Sequence, residues 1–140
     1  MKRKQVWRFY CEHCKKSGCS GGHISRHERG CTRNPGRVCG ACRVFELEAK
    51  PLAELIAFCK ARATPGDSID GNPDDSSLWL DESAVKELRE LAGQCPACML
   101  AALRQSDVYA GSQHYDFRAE MKSHWSDFNQ AQLAREYGYG

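Results

Sequence analysis

Long apolar runs are missing from this chain: nothing approaches the ~18 consecutive residues that a membrane-spanning helix needs. The start, Met1-Lys-Arg-Lys, is basic, but Gln5-Val-Trp-Arg-Phe-Tyr-Cys-Glu is no secretory hydrophobic region. A reducing compartment is therefore expected, the cytoplasm or, in a eukaryote, the nucleus, with no membrane partner. Cysteines in such a compartment read as metal ligands before disulfides. Histidine is also sparse. None lies between His27 and His114, so the interval 43–94 has no general base of that kind. No Ser/His/Asp set, paired catalytic carboxylates or phosphate-cradling glycine loop is visible, and no enzymatic activity is expected. Apolar residues are only 41% of 140. That length bounds the chain to one domain with at most a small attached module and a modest core.

What is abundant is cysteine, with nine in the chain. Seven of them and one histidine fall at ligand spacings. The first set is Cys11-x2-Cys14-x12-His27-x3-Cys31, all within 21 residues. Cys-x2-Cys is a turn that brings two sulfurs to one ion, and His27 and Cys31 stand at i, i+4, on one face of a helix. The second set pairs Cys39-Gly-Ala-Cys42 with Cys95-Pro-Ala-Cys98, 52 residues further on. Neither pair satisfies a tetrahedral ion alone. Together they fill four positions, which describes a structural zinc site rather than a catalytic one. Two Zn2+ per chain are expected. Other assignments stay open on spacing alone: His23 or Cys19 replacing a ligand of the first set, a cross-over joining Cys11/Cys14 to Cys39/Cys42, or Cys95/Cys98 as a redox dithiol.

Charge divides the chain. Residues 1–43 carry eleven Lys/Arg against two acids, a net +9, while residues 44–140 carry nine against sixteen, a net −7. Three thiolates with an imidazole around zinc would add about −1, and four thiolates about −2, so the asymmetry survives. A basic module on an acidic body points to a polyanionic partner, most simply DNA or RNA. Lys2, Arg3, Lys4, Arg8, Lys15, Lys16, Arg26 and Arg29 are the expected phosphate contacts, with Trp7 and Tyr10 as stacking surfaces. A protein partner, bound by a zinc-stapled adaptor or small inhibitor, is the competing expectation.

The first ligand set resembles the C2HC variant of the C2H2 zinc finger. Phe9-x-Cys11-x2-Cys14 has the family's aromatic residue two before the first cysteine. Ile24-x2-His27 has its apolar residue three before the histidine, and His27-Glu-Arg-Gly-Cys31 is similar to the end of C2HC fingers. The resemblance covers about residues 7–31 and implies a ββα unit with zinc as its main core. It also implies base-facing positions at Ser20, His23 and Arg26. The family's large apolar residue between the ligand pairs is replaced by Gly18.

Residues 1–37 are thus expected to hold a basic arm, the finger and a turn-rich linker, Thr32-Arg-Asn-Pro-Gly-Arg37. Residues 38–110 form a helical body stapled by the four-cysteine site, and 111–140 a C-terminal helix packed on it. A helix is predicted from Pro51 to Arg62, with Leu52, Leu55, Ile56 and Cys59 inward. A second is capped by Asp81 and ended by Gly93, with Val85, Leu88, Leu91 and Ala92 inward. A third opens at Cys95-Pro96, and a fourth at Asp116 with the stripe Phe117, Met121, Trp125 and Phe128. The acidic stretch with Asp67, Asp70, Asp74 and Asp75 fails the calcium-loop spacing and reads as a solvated loop. Cys59 reads as a buried inert thiol, and His114 and His124 as surface or packing residues. The predicted fold class is mainly α with a small N-terminal ββα finger.

Overall fold

The structure, a computed structural model, describes residues 1–69, 71 and 76–136. It holds six helices and two small sheets among those residues. Residues 1–8 form no regular element. The chain then makes β1 (Phe9–Tyr10) and β2 (Ser17–Gly18), which pair antiparallel with Phe9 opposite Gly18. Helix α1 (Gly21–Gly30) follows. Two glycines make a weak helix start, and Ser20 offsets this by capping: its hydroxyl accepts from the His23 N–H at 3.3 Å. Ile24, Cys11 and Cys31 are buried together as a small core of their own.

The segment after α1 is tied down rather than free. Val38 N–H donates to the Arg29 carbonyl, and the Asn34 side-chain amide donates to the Glu28 carbonyl at 2.8 Å. Gln105 holds the other side, its Nε2 reaching the carbonyls of Thr32 (2.8 Å) and Asn34 (3.0 Å). The expected linker is therefore a strap, fastening the N-terminal module to the body.

The body begins with α2 (Gly40–Phe45) and α3 (Leu52–Arg62). The latter starts one residue after Pro51 and buries Leu55 and Cys59, as its apolar period predicts. Asp81 caps α4 (Glu82–Leu91), its carboxylate accepting from Ala84 N–H at 2.7 Å, and Val85, Leu88 and Ala92 face inward. Gly93 stops it at φ +62°, where any Cβ would run into the Glu48 carbonyl. That is a position only glycine fills without strain. Helix α5 (Pro96–Ser106) is the central element. Its small buried residues Ala97, Ala101 and Ala102 let neighbours approach closely, and α3 packs against it. The core joins Leu55, Leu88, Met99, Leu103 and Val108 around it.

A three-stranded sheet was not expected in the body. It runs β3 (Thr64–Gly66), β4 (Ser77–Leu80) and β5 (Val108–Ala110), in that order. β3 pairs antiparallel with β4, and β4 pairs parallel with β5. Pro65, which reads as a helix stop, sits on the edge strand, where its missing N–H is harmless. Asp70, Asp74 and Asp75 of the acidic stretch lie outside the described residues.

The last helix, α6 (Phe117–Glu136), packs only in part. Asp116 and Glu120 form a reciprocal cap, the Asp116 carboxylate accepting from Ala119 N–H and Glu120 from Asp116 N–H. Phe117 rests on the core. Further along, Arg89 pairs with Glu120, the Gln94 carbonyl meets His124, and Phe45 of α2 packs on the stripe, its ring 4.9 Å from Trp125, 5.9 Å from Phe128 and 5.2 Å from the His124 imidazole. Trp125 stays 43% exposed, so this end of the stripe is a surface cluster rather than core.

Candidate metal centres

Both predicted ligand sets are assembled. In the first, the donor atoms of Cys11, Cys14, His27 and Cys31 all lie within 4.8 Å of one another, and so do those of Cys39, Cys42, Cys95 and Cys98 in the second. Two clusters of four such groups suit two metal ions.

The first cluster is built by a turn and a helix end. The turn between β1 and β2 carries Cys11 and Cys14, and its backbone points at the sulfurs. His13 N–H donates to Cys11 Sγ and Lys16 N–H to Cys14 Sγ, both at 3.4 Å. The last turn of α1 brings His27 Nε2 to 3.1 Å from Cys14 Sγ, and Cys31 follows at the helix C-cap. The Lys16 N–H, with lesser help from His27, holds the Cys14 thiol down to about 7 against the opposing effect of burial. Burial pushes Cys31 up. The absent apolar residue at Gly18 is explained by its neighbours: a Cβ there would already touch Ile24 Cδ1 at 3.7 Å, so Ile24 fills that space. Cys19 and His23 lie outside the cluster. Cys19 is exposed with Arg8 Nη1 4.0 Å away, and His23 Nδ1 faces Arg26 Nη2 at 3.4 Å.

The second cluster joins two helix starts far apart in sequence. Cys39 is the N-cap of α2 and Cys95 the N-cap of α5, with Pro96 at the first helical position. Both sulfurs therefore sit where helix dipoles favour negative charge. Cys39 Sγ lies 3.5 Å from Cys95 Sγ, and Cys42 Sγ 3.4 Å from Cys98 Sγ. These separations are far beyond the ~2.05 Å of a disulfide. Cys95 is fully buried. Four sulfurs this close cannot all ionise unless a cation sits among them. Hydrogen bonds from Cys95 and Cys98 hold the Cys39 thiol far below its ordinary range. Burial raises Cys42 to about 12, and Cys98 is driven upward by sharing with Cys39 and Cys95.

One contributor escaped the sequence reading. Arg37 spans the two centres, its Nε donating to the Gly30 carbonyl beside Cys31 at 3.2 Å and its Nη1 to Cys98 Sγ at 3.9 Å. A guanidinium here offsets the negative charge of a four-thiolate set. Only its position two residues before a Cys-x2-Cys pair hints at this.

The predicted polyanion contacts are exposed but not gathered into one pocket. Lys2, Arg3, Lys4, Trp7 and Arg8 lie on the arm, Tyr10 on β1, Lys15 and Lys16 on the metal-site turn, Arg26 and Arg29 on α1. Trp7 and Tyr10 are 86% and 65% exposed. The ion pairs among the described residues are Arg62–Glu87 within the body and Arg89–Glu120 between α4 and α6. None of the eleven bases in residues 1–43 is neutralised by such a pair. The spare cysteines behave as expected: Cys59 is buried, with its thiol pushed up to about 11 by that burial. His124 is a packing residue, its Nε2 2.8 Å from the Gln94 carbonyl. No helix among the described residues is long and apolar enough to cross a membrane. Comparison with protein-family models, with curated proteins and with solved structures finds no match for this chain.

Proposed function

We propose that the protein is a non-enzymatic, two-zinc protein that binds nucleic acid through its basic N-terminal module. Zinc is favoured by the donors, since soft thiolates with at most one imidazole select it over harder cations. The spacing supports it too: sulfurs ~2.3 Å from a tetrahedral ion stand about 3.8 Å apart, close to the 3.4 and 3.5 Å seen. The order of two short strands and a helix, with ligands in the turn and at the helix end, supports a C2HC finger of ββα type. With four protein ligands on each ion no position is open to a substrate, which supports a structural role for both.

The magnitudes make zinc part of the fold. Leu55, Leu88, Met99 and Val85 are the largest fully buried aliphatic side chains, and at ~1.5–3 kcal/mol each they contribute on the order of 10 kcal/mol. A structural zinc site contributes a similar ~10–16 kcal/mol. Both sources offset chain entropy.

The nucleic-acid reading is carried by the uncompensated charge of residues 1–43. Eleven bases without an ion pair among the described residues, interleaved with exposed Trp7 and Tyr10, suit phosphate contact with base stacking. The test is fluorescence anisotropy with labelled DNA and RNA oligonucleotides across a salt titration. If six phosphates are neutralised, the log–log slope is about −4 on a single strand or −5 on a duplex. Absence of binding at low salt refutes this reading. A protein partner is favoured by one observation, the half-exposed cluster of Phe45, Trp125 and Phe128, and capture that survives nuclease treatment would support it.

A further inference from the structure

Beside the first metal centre, the N-terminal module and the body enclose an open cleft of about 700 Å³ lined by Glu12, His13, Cys14, Lys15, Arg33 and Arg104. Its cations come from three places: the metal-site turn, the strap and the last turn of α5. Arg104 belongs to the acidic body, and its Nη1 donates to Thr32 Oγ1 at 2.8 Å, which holds the guanidinium at the junction. Lys15, Arg33 and Arg104 are all exposed and outside the ion pairs of the described residues. Glu12 offsets one charge, leaving the lining net positive. A second pocket of about 270 Å³ adjoins this cleft, and Arg33 and Arg104 line both. Its floor is apolar, with Leu100, Leu103, Val108 and Tyr115, and Asp107 at its rim.

We infer that a single-stranded nucleic acid crosses this junction, with a backbone phosphate held between Arg33 and Arg104 and an unpaired base seated in the Leu100 pocket. This rests on the nucleic-acid reading above and deepens it by naming the strandedness and a site on the body. Arginines suit phosphate because their planar fork gives two parallel donors. The arrangement needs a single strand because a paired base enters a side pocket only after leaving its stack, at a cost of a few kcal/mol. A free base docks there without that cost.

The full-length, zinc-loaded protein is titrated with three labelled 12-nucleotide probes: an oligothymidine strand, an abasic strand of equal charge, and a duplex. Arg33→Gln is the cleanest variant, since no hydrogen bond of that side chain appears among the described contacts. Arg104→Gln is the second, with zinc content and circular dichroism confirming its fold. Each is expected to weaken strand binding and flatten the salt slope by about 0.7, while the distant Lys86→Gln leaves both unchanged. The base-bearing strand binds at least ~5-fold better than the abasic one, and Leu100→Gln narrows that gap. Normal strand binding by Arg33→Gln and Arg104→Gln overturns the junction site but leaves the basic module intact as a binder. Tighter binding of the duplex, or a gap unchanged in Leu100→Gln, overturns the seated base. No binding of any probe by the wild type overturns the nucleic-acid reading itself.

Discussion

Removing Cys95 and removing Cys11 have different consequences, because the two metal centres close loops of different kinds. Cys95 is fully buried, and its sulfur faces Cys39 across the joint between α2 and α5. The second centre ties residues 39–42 to 95–98 and so closes a loop of 52 intervening residues. A cross-link over such a loop removes ~4 kcal/mol of chain entropy from the unfolded state. Cys95→Ala loses that constraint and leaves the buried Cys98 and the half-buried Cys39 and Cys42 without their fourth partner. The total stability of a domain is only ~5–15 kcal/mol, so this is a large share. For a chain of this length it corresponds to a Tm lower by roughly 10–20 °C. Cys11→Ala removes the other ion. It dissolves the small core of Ile24 and Cys31, while the Leu88–Met99 core remains. The assay is native mass spectrometry paired with calorimetry. The wild type should carry two zinc ions and each variant one, with the large Tm loss confined to Cys95→Ala. One ion in the wild type, lost by either substitution, would refute the two-centre architecture. Equal Tm losses would refute the entropic reasoning.

The backbone stop after α4 supplies a second test: Gly93→Ala forces a side chain into the Glu48 carbonyl at positive φ, and should cost ~2–4 kcal/mol by denaturant titration. Of the nine thiols, seven lie in the two clusters and Cys59 is buried, so a thiol reagent at neutral pH should modify Cys19 alone if both clusters hold zinc as proposed, as peptide mapping would show. Cys59 also sets an alkaline limit. Its folded pKa of about 11 stands above the ordinary thiol value of 9.0, so its neutral form favours the folded state below 9. That contribution is lost as pH rises through the interval from 9 to 11, and Cys59→Ala should flatten the stability profile there.

The elements that were legible in the sequence are those specified locally. Asp81 and Gly93 bracket α4 because a cap and a positive-φ stop depend on a few neighbouring residues. The first ligand set was legible for the same reason, all four ligands lying in one turn and one helix. The body sheet was not. β3 to β5 are three or four residues each, too short for a period of two to register, and the parallel partner of β4 stands 28 residues away. The partial burial of the α6 stripe beyond Phe117 was not legible because a stripe states which residues share a face, not how much surface lies opposite.

The residues that join module to body were invisible for a further reason, which bears on how the molecule is built. Arg37, Gln105 and Arg104 belong to no motif, yet they make the contacts across the strap. Arg37 and Gln105 act through backbone carbonyls and the Cys98 sulfur, and Arg104 through the Thr32 hydroxyl, partners that lie beside the two cysteine clusters. Gln105 reads the carbonyls of Thr32 and Asn34, which follow Cys31 at the end of α1. If both clusters hold zinc as proposed, the junction depends on metal binding at two places. A loss of either centre should loosen the junction as well as the unit that houses it.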